Sequence, residues 1–75
     1  MGIHYFHCTD GHSLIVDRRG RVARSKRQVE GVATLVAADL MRSAPPTIEW
    51  DGWVVSVQDR RGYLVEVVPF PQGRA

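Results

Sequence analysis

The chain predicts an α+β fold in two layers, ββαββ in order, with one helix packed on a four-stranded, mostly antiparallel sheet. Three observations carry this. The second half reads as a hairpin, the N-terminal segment is apolar and interrupted by turn residues, and a capped amphipathic stretch lies between them.

Ile3 to Cys8 are rich in β-formers, Thr9-Asp10-Gly11-His12 signals a turn, and Leu14-Ile15-Val16 resumes the apolar character. With Asp10-Gly11 as a two-residue turn, Phe6 pairs with Ile15 and Cys8 with Ser13 on one face, leaving Tyr5, His7, Leu14 and Val16 on the other. Asp17-Arg18-Arg19-Gly20 then anticipates Asp59-Arg60-Arg61-Gly62. The flanking residues differ, so a shared demand for a turn ending in glycine explains the recurrence without duplication.

Ser25-Lys-Arg-Gln28 has the spacing of a capping box, in which Ser25 accepts from the third helical N–H and Gln28 reaches back to the Ser25 amide. A helix is predicted from Lys26 to about Arg42. Val29, Val32, Ala33, Val36, Ala37, Leu40 and Met41 form its apolar stripe, and Pro45-Pro46 stops it by excluding helical geometry from the preceding residue. Asp51-Gly52 is a further turn. In the C-terminal hairpin, Asp59 to Gly62 suits a three-residue loop with glycine in the left-handed position. Asp59 then faces Tyr63. Val57 falls opposite Val65, Val55 opposite Val67 and Trp53 opposite Pro69 on the apolar face, with Gln58–Leu64 and Ser56–Glu66 on the other. The expected core is Phe6, Ile15, Val29, Val32, Val36, Leu40, Trp53, Val55, Val57, Val65 and Val67, with Trp50 at its rim.

Seventy-five residues, 44% of them hydrophobic and 24% charged, make a single domain, ordered over about 3–70 with a short tail at 71–75. Such a chain buries only about 60–65% of its unfolded surface, so a partner would help it. Its apolar runs fall far short of the roughly 20 residues of a membrane span, and no secretory signal opens it. A single cysteine, Cys8, fits a reducing compartment, and the expected location is the cytoplasm.

Tyr5-Phe6-His7, Asp10-Gly11, Asp17 and Gly20, the alanine-rich helix, and Asp59-x-x-Gly62 followed by Pro69-Phe70 resemble a family of short bacterial proteins, chiefly rhizobium-like, catalogued as a domain of unknown function. The resemblance implies a stand-alone bacterial domain with no assigned catalytic residue, cofactor or partner. Arg18-Arg19 depart from the acidic residue that the family often carries between Asp and Gly, so charge here is read from the residues alone.

His4, His7, Cys8 and His12 are of the types that bind zinc. On a strand, however, positions 4 and 7 face opposite ways, and positions 4 and 8 lie about 13 Å apart. Neither a metal nor another cofactor is expected. A chain of this size also offers little concave surface, and no phosphate loop or catalytic triad ordering is present, so an enzyme is not expected.

Charge is the more informative feature. Arg18, Arg19, Arg21, Arg24, Lys26 and Arg27 stand against Asp17 alone, a local balance of +5, while the rest of the chain carries −3. Lys26 and Arg27 occupy the first helical turn, where the dipole disfavours cations by about 0.3–1 kcal/mol each. These six residues are the candidate anion- or partner-binding set. The leading expectation is a non-enzymatic module that self-associates as a homodimer or binds a protein partner. The alternative is a nucleic-acid-binding regulator using the 18–27 segment. Val54, Leu64 and Val68 are the apolar residues expected on the uncovered sheet face.

Overall fold

The computed structural model describes residues 2–71. The strands are β1 (Ile3–Thr9), β2 (Leu14–Ile15), β3 (Arg21–Val22), β4 (Val54–Asp59) and β5 (Leu64–Pro69), with the single helix α1 (Lys26–Ser43) between β3 and β4. The strands form one antiparallel sheet in the order β2-β1-β4-β5, and β3 joins β2 on the same edge of β1. The two-layer α+β architecture is as expected, with five strands rather than four. From residue 72 onward the expected tail lies outside the described residues.

The fifth strand, β3, is only two residues long, too short for alternation to reveal it. It forms because the 17–20 turn swings the chain back beside β1, where Ile3 pairs with Val22 and His4 with Arg21. Asp17 builds that turn. One carboxylate oxygen accepts the N–H groups of Arg19 and Gly20 at 3.0 and 3.1 Å, and the other accepts the Phe6 N–H of β1 at 3.1 Å. Gly20 has φ +77°, and a Cβ there would lie 2.9 Å from Ile3 Cγ2 and 3.1 Å from the His4 carbonyl oxygen. Both conditions demand glycine.

The first hairpin is wider than predicted. Cys8 pairs with Ile15 and Thr9 with Leu14, because side chains stabilise a four-residue loop. Asp10 accepts from the His12 and Ser13 amides, while the Thr9 hydroxyl donates to the Ser13 carbonyl at 2.6 Å and accepts from the Gly11 N–H. The register moves by two residues, which preserves faces. Ile15 therefore still faces the helix side, but it is exposed rather than buried.

The helix begins where the sequence indicates. Ser25 Oγ accepts the Gln28 N–H at 3.1 Å, although Gln28 Oε1 accepts from the Arg24 amide at 2.7 Å and not from that of Ser25. At the other end the Ala44 N–H closes onto the Leu40 carbonyl just before the two prolines. The buried line is Val29, Ala33 and Ala37. Two alanines at its centre let the helix axis approach the sheet closely, so Val32, Val36, Leu40 and Met41 pack as partly buried flanks.

The C-terminal hairpin corrects the predicted register. Its turn is as read: the Gly62 N–H donates to the Asp59 carbonyl, and Asp59 Oδ1 accepts from the Arg61 and Tyr63 amides. Gln58 pairs with Leu64. Beyond that pair a bulge intervenes, and Val57 lies opposite Glu66, Ser56 opposite Val67, Val55 opposite Val68 and Val54 opposite Pro69. Val65 is the additional residue. Val55 and Val57 are fully buried as expected, while Val65 and Val67 are exposed and Val68 packs on the core instead.

Phe70 explains the bulge. Straight alternation would send Pro69 inward and Phe70 outward, whereas one extra residue turns Phe70 into the core, where it is 1% exposed. Burying such a ring contributes about 1.5–3 kcal/mol. Phe70 then packs on Trp50 and Trp53 at centroid distances of 5.4 and 5.8 Å, and the two indoles meet edge to face at 5.2 Å. Both tryptophans are half-buried around Phe70, so neither is more central than the other. Buried Ala23, in the β3–α1 connection, also belongs to the core.

Candidate functional site

The six basic residues of the 18–27 segment are divided among several elements. Arg18 and Arg19 sit in the exposed Asp17 turn, Arg21 in β3, Arg24 just before the helix, and Lys26 and Arg27 in its first turn. Arg24 and Lys26 line one groove, of about 320 Å3, together with His4, Ser25, Val29, Val65 and Glu66. Arg21 lines a different cleft, of about 210 Å3, between α1 and β2. The first helical turn contains no acidic residue, but Lys26 lies 4.0 Å from Glu30 one turn along. That pair offsets part of the dipole cost. It is exposed, and its Lys-before-Glu order is the weaker one, so a few tenths of a kcal/mol is its scale.

Two further cations join this end of the molecule. Antiparallel pairing of β1 with β4 sets His4 opposite Asp59, so the β4–β5 turn lies beside the start of β1. Arg60 and Arg61 border a groove there with Ile3, His4 and Asp59. A third groove, formed by Gly2, His4, Ala23 and Arg24, adjoins the same histidine. His4 thus borders three grooves that hold Arg24, Lys26, Arg60 and Arg61, and it is paired across strands with Arg21. Reading the sequence segment by segment overlooks Arg60 and Arg61, which are distant in the chain. The repeated Asp-Arg-Arg-Gly was the available signal.

His4 Nδ1 lies 3.1 Å from the Gly2 carbonyl oxygen. A carbonyl only accepts, so Nδ1 is the donor and Nε2 is the ring nitrogen left for other partners. His7 has the opposite arrangement, because its Nδ1 accepts the Asp17 N–H at 3.0 Å and a neutral ring then carries its proton on Nε2. His7 is thus a strand residue hydrogen-bonded next to the first hairpin. Partial burial pushes the Asp17 carboxyl up, but the amides of Phe6, Gly20 and Arg19, with His7 nearby, outweigh it and hold the pKa below 3.8.

Cys8 is buried, and its thiol is raised, first by burial and then by the Asp17 charge. It lines the α1–β2 cleft with Phe6, Ile15, Val16, Asp17, Arg21, Val36 and Leu40. This cleft is smaller than the roughly 300–1,000 Å3 of typical small-molecule pockets. Asp10, on the loop after β1, is held below its ordinary pKa by the Ser13 and then the His12 amide. Among the described residues, no three His, Cys, Asp or Glu side chains are grouped to hold a metal ion, and no helix is long and apolar enough to cross a membrane.

Face assignments follow from the pairing. His4, Phe6, Cys8, Val55, Val57, Glu66 and Val68 lie under the helix, while Ile3, Tyr5, His7, Thr9, Val54, Ser56, Gln58, Leu64, Val67 and Pro69 share the opposite face. Leu14, opposite Thr9, and Val22, opposite Ile3, extend that face on the β1 side. No described helix or strand covers it, and only the 17–20 turn lies against its β1 side, at Ile3, Tyr5 and His7. Val54 and Leu64 lie there as expected, and the bulge exchanges Val68 for Val67.

Comparison with curated proteins and with solved structures finds no match. The model of a family described as a domain of unknown function (DUF6894) matches residues 3–71, from the first residue of β1 to just beyond Phe70, and the chain belongs to that family.

Proposed function

We propose that this domain is a non-enzymatic interaction module that self-associates through the uncovered face of its sheet. The observation that supports the reading is the set of large apolar side chains left on that face. Leu14, Val22, Leu64 and Val67 are 61, 58, 60 and 47% exposed. They flank a half-buried centre of Tyr5, His7, Ser56 and Gln58, with one pair toward β2 and β3 and the other on β5. A second copy is the occupant such a pattern suits. Under a two-fold axis one patch meets itself, and two sheets stacked about 10 Å apart bring apolar flank against apolar flank. A 75-residue domain gains proportionally more from such burial than a large one.

The non-enzymatic reading rests on how the chemically capable side chains are used. Asp17 and Asp59 bind turn amides, His7 accepts from the backbone, and the Cys8 thiol is buried and raised. The setting we infer is a bacterial cytoplasm, on the single cysteine and on the sequence motifs that resemble rhizobium-like proteins. Sedimentation velocity over a concentration series tests the proposal. The parent protein is expected as a dimer and a Leu64→Lys, Val67→Lys variant as a monomer with unchanged helical circular dichroism. A parent that stays monomeric at millimolar concentration would overturn the reading.

A further inference from the structure

We infer that the basic end of the molecule, centred on His4, binds the phosphate backbone of single-stranded nucleic acid. The surface meets the uncovered sheet face only at Ile3, and the inference stands apart from self-association. Four cations from three places in the chain border the grooves around His4: Arg24 before the helix, Lys26 at its start, and Arg60 and Arg61 in the β4–β5 turn, while Arg21, the cross-strand partner of His4, lines the neighbouring α1–β2 cleft. Asp59 and Glu66 are the acids bordering the same grooves. Asp59 is committed to the Arg61 and Tyr63 amides of its own turn.

The ligand class follows from the spacing of these charges and from a neighbouring ring. Four of these cations, Arg24, Lys26, Arg60 and Arg61, are spread over three adjoining grooves, which suits a linear polyanion better than one compact phosphate. Arginine forks match phosphate oxygens, and with Nδ1 bonded to the Gly2 carbonyl oxygen, Nε2 is the His4 ring nitrogen that can meet a ligand. The 18–27 segment has no aromatic residue of its own. The hairpin supplies one, since Tyr63 follows Arg60 and Arg61 at the same turn and is 66% exposed. A basic track beside an exposed aromatic is the arrangement on which unpaired bases stack, whereas a duplex hides its base faces.

Fluorescence anisotropy with labelled 20-nucleotide single strands of mixed sequence, DNA and RNA, tests the assignment. Four neutralised phosphates give log K against log salt a slope of roughly −2.8 for single strands. Replacing Arg60 and Arg61 together by alanine is expected to reduce the steepness by about 1.4, while Arg42→Ala, at the far end of the helix, leaves it unchanged. Tyr63→Ala should weaken binding roughly tenfold and Tyr63→Phe should restore it. Arg60 and Arg61 are exposed turn sites, and thermal melts are the check that the variants fold. Four outcomes would overturn the inference: no binding at low salt, an Arg60/Arg61 variant with the parent's slope, equal binding of poly-L-glutamate, or tighter binding of the corresponding duplex.

Discussion

Gly20 and Gly62 close turns of identical sequence, yet they stand in different surroundings. Both have positive φ, 77° and 90°, but only at Gly20 would a methyl group strike neighbouring atoms, those of β1. Gly62→Ala is therefore expected to cost about 1 kcal/mol from backbone strain alone, and Gly20→Ala at least 1 kcal/mol more, because Ile3 or the His4 carbonyl must move. Paired urea melts check the order. Asp17, three residues earlier, predicts a pH dependence. Its folded pKa lies below the ordinary 3.8, so the stabilisation is fully present above about pH 5 and is lost as pH falls through 3.8 and below. Asp17→Asn should cost about 1–3 kcal/mol at neutral pH and flatten the acid limb of the stability curve. An acid limb as steep as the parent's would show that other carboxylates set it. Turn residues of this kind were readable from sequence because their hydrogen bonds are local. The contact of Gly20 with β1 was not, since it depends on a strand pairing two residues long.

Element boundaries were legible wherever one local rule decided them. Ser25 and the two prolines place the ends of α1 within a residue or two, and alternation identifies β1, β4 and β5. The register of β5 was not legible from its turn. The turn fixes Asp59 and Gln58 against Tyr63 and Leu64, but the next pair is decided by Phe70, which reaches the core only if one residue is skipped. Val65 is therefore spare in pairing terms. Deleting it would leave Gln58 opposite Leu64 and Val57 opposite Glu66, the partners they already have. The deletion is expected to lower stability by no more than about 1–2 kcal/mol, whereas deleting Val67 reverses the facing of Val68 and Phe70 across the sheet. Phe70→Ala should cost about 3–5 kcal/mol. Amide exchange across β4 and β5 would report the pairing in each variant, and a Val65 deletion as damaging as that of Val67 would refute the bulge.

At the scale of the whole molecule, the basic segment read as one run is divided by the fold into a turn, a strand edge and a helix start, and two arginines from the opposite end of the sequence join it. Local sequence carries that charge but not its assembly, which needs β1 to lie beside β4. The two borders of the sheet are also unequal. On the β1 side two strands of two residues are separated by the Asp17 turn, whose carboxylate takes the Phe6 N–H that a neighbouring strand would otherwise use. On the other side β5 runs for six residues and pairs, among the described residues, only with β4. In edge-to-edge growth the domain is consequently monovalent. One strand can be added, and the newcomer's far border is again the interrupted one, so edge pairing terminates at two copies instead of propagating into fibres. A variant that loses the Asp17 turn, such as Asp17→Val, is therefore expected to gain a second joining border and with it open-ended assembly, to be read as thioflavin-positive aggregates in the variant and their absence in the parent.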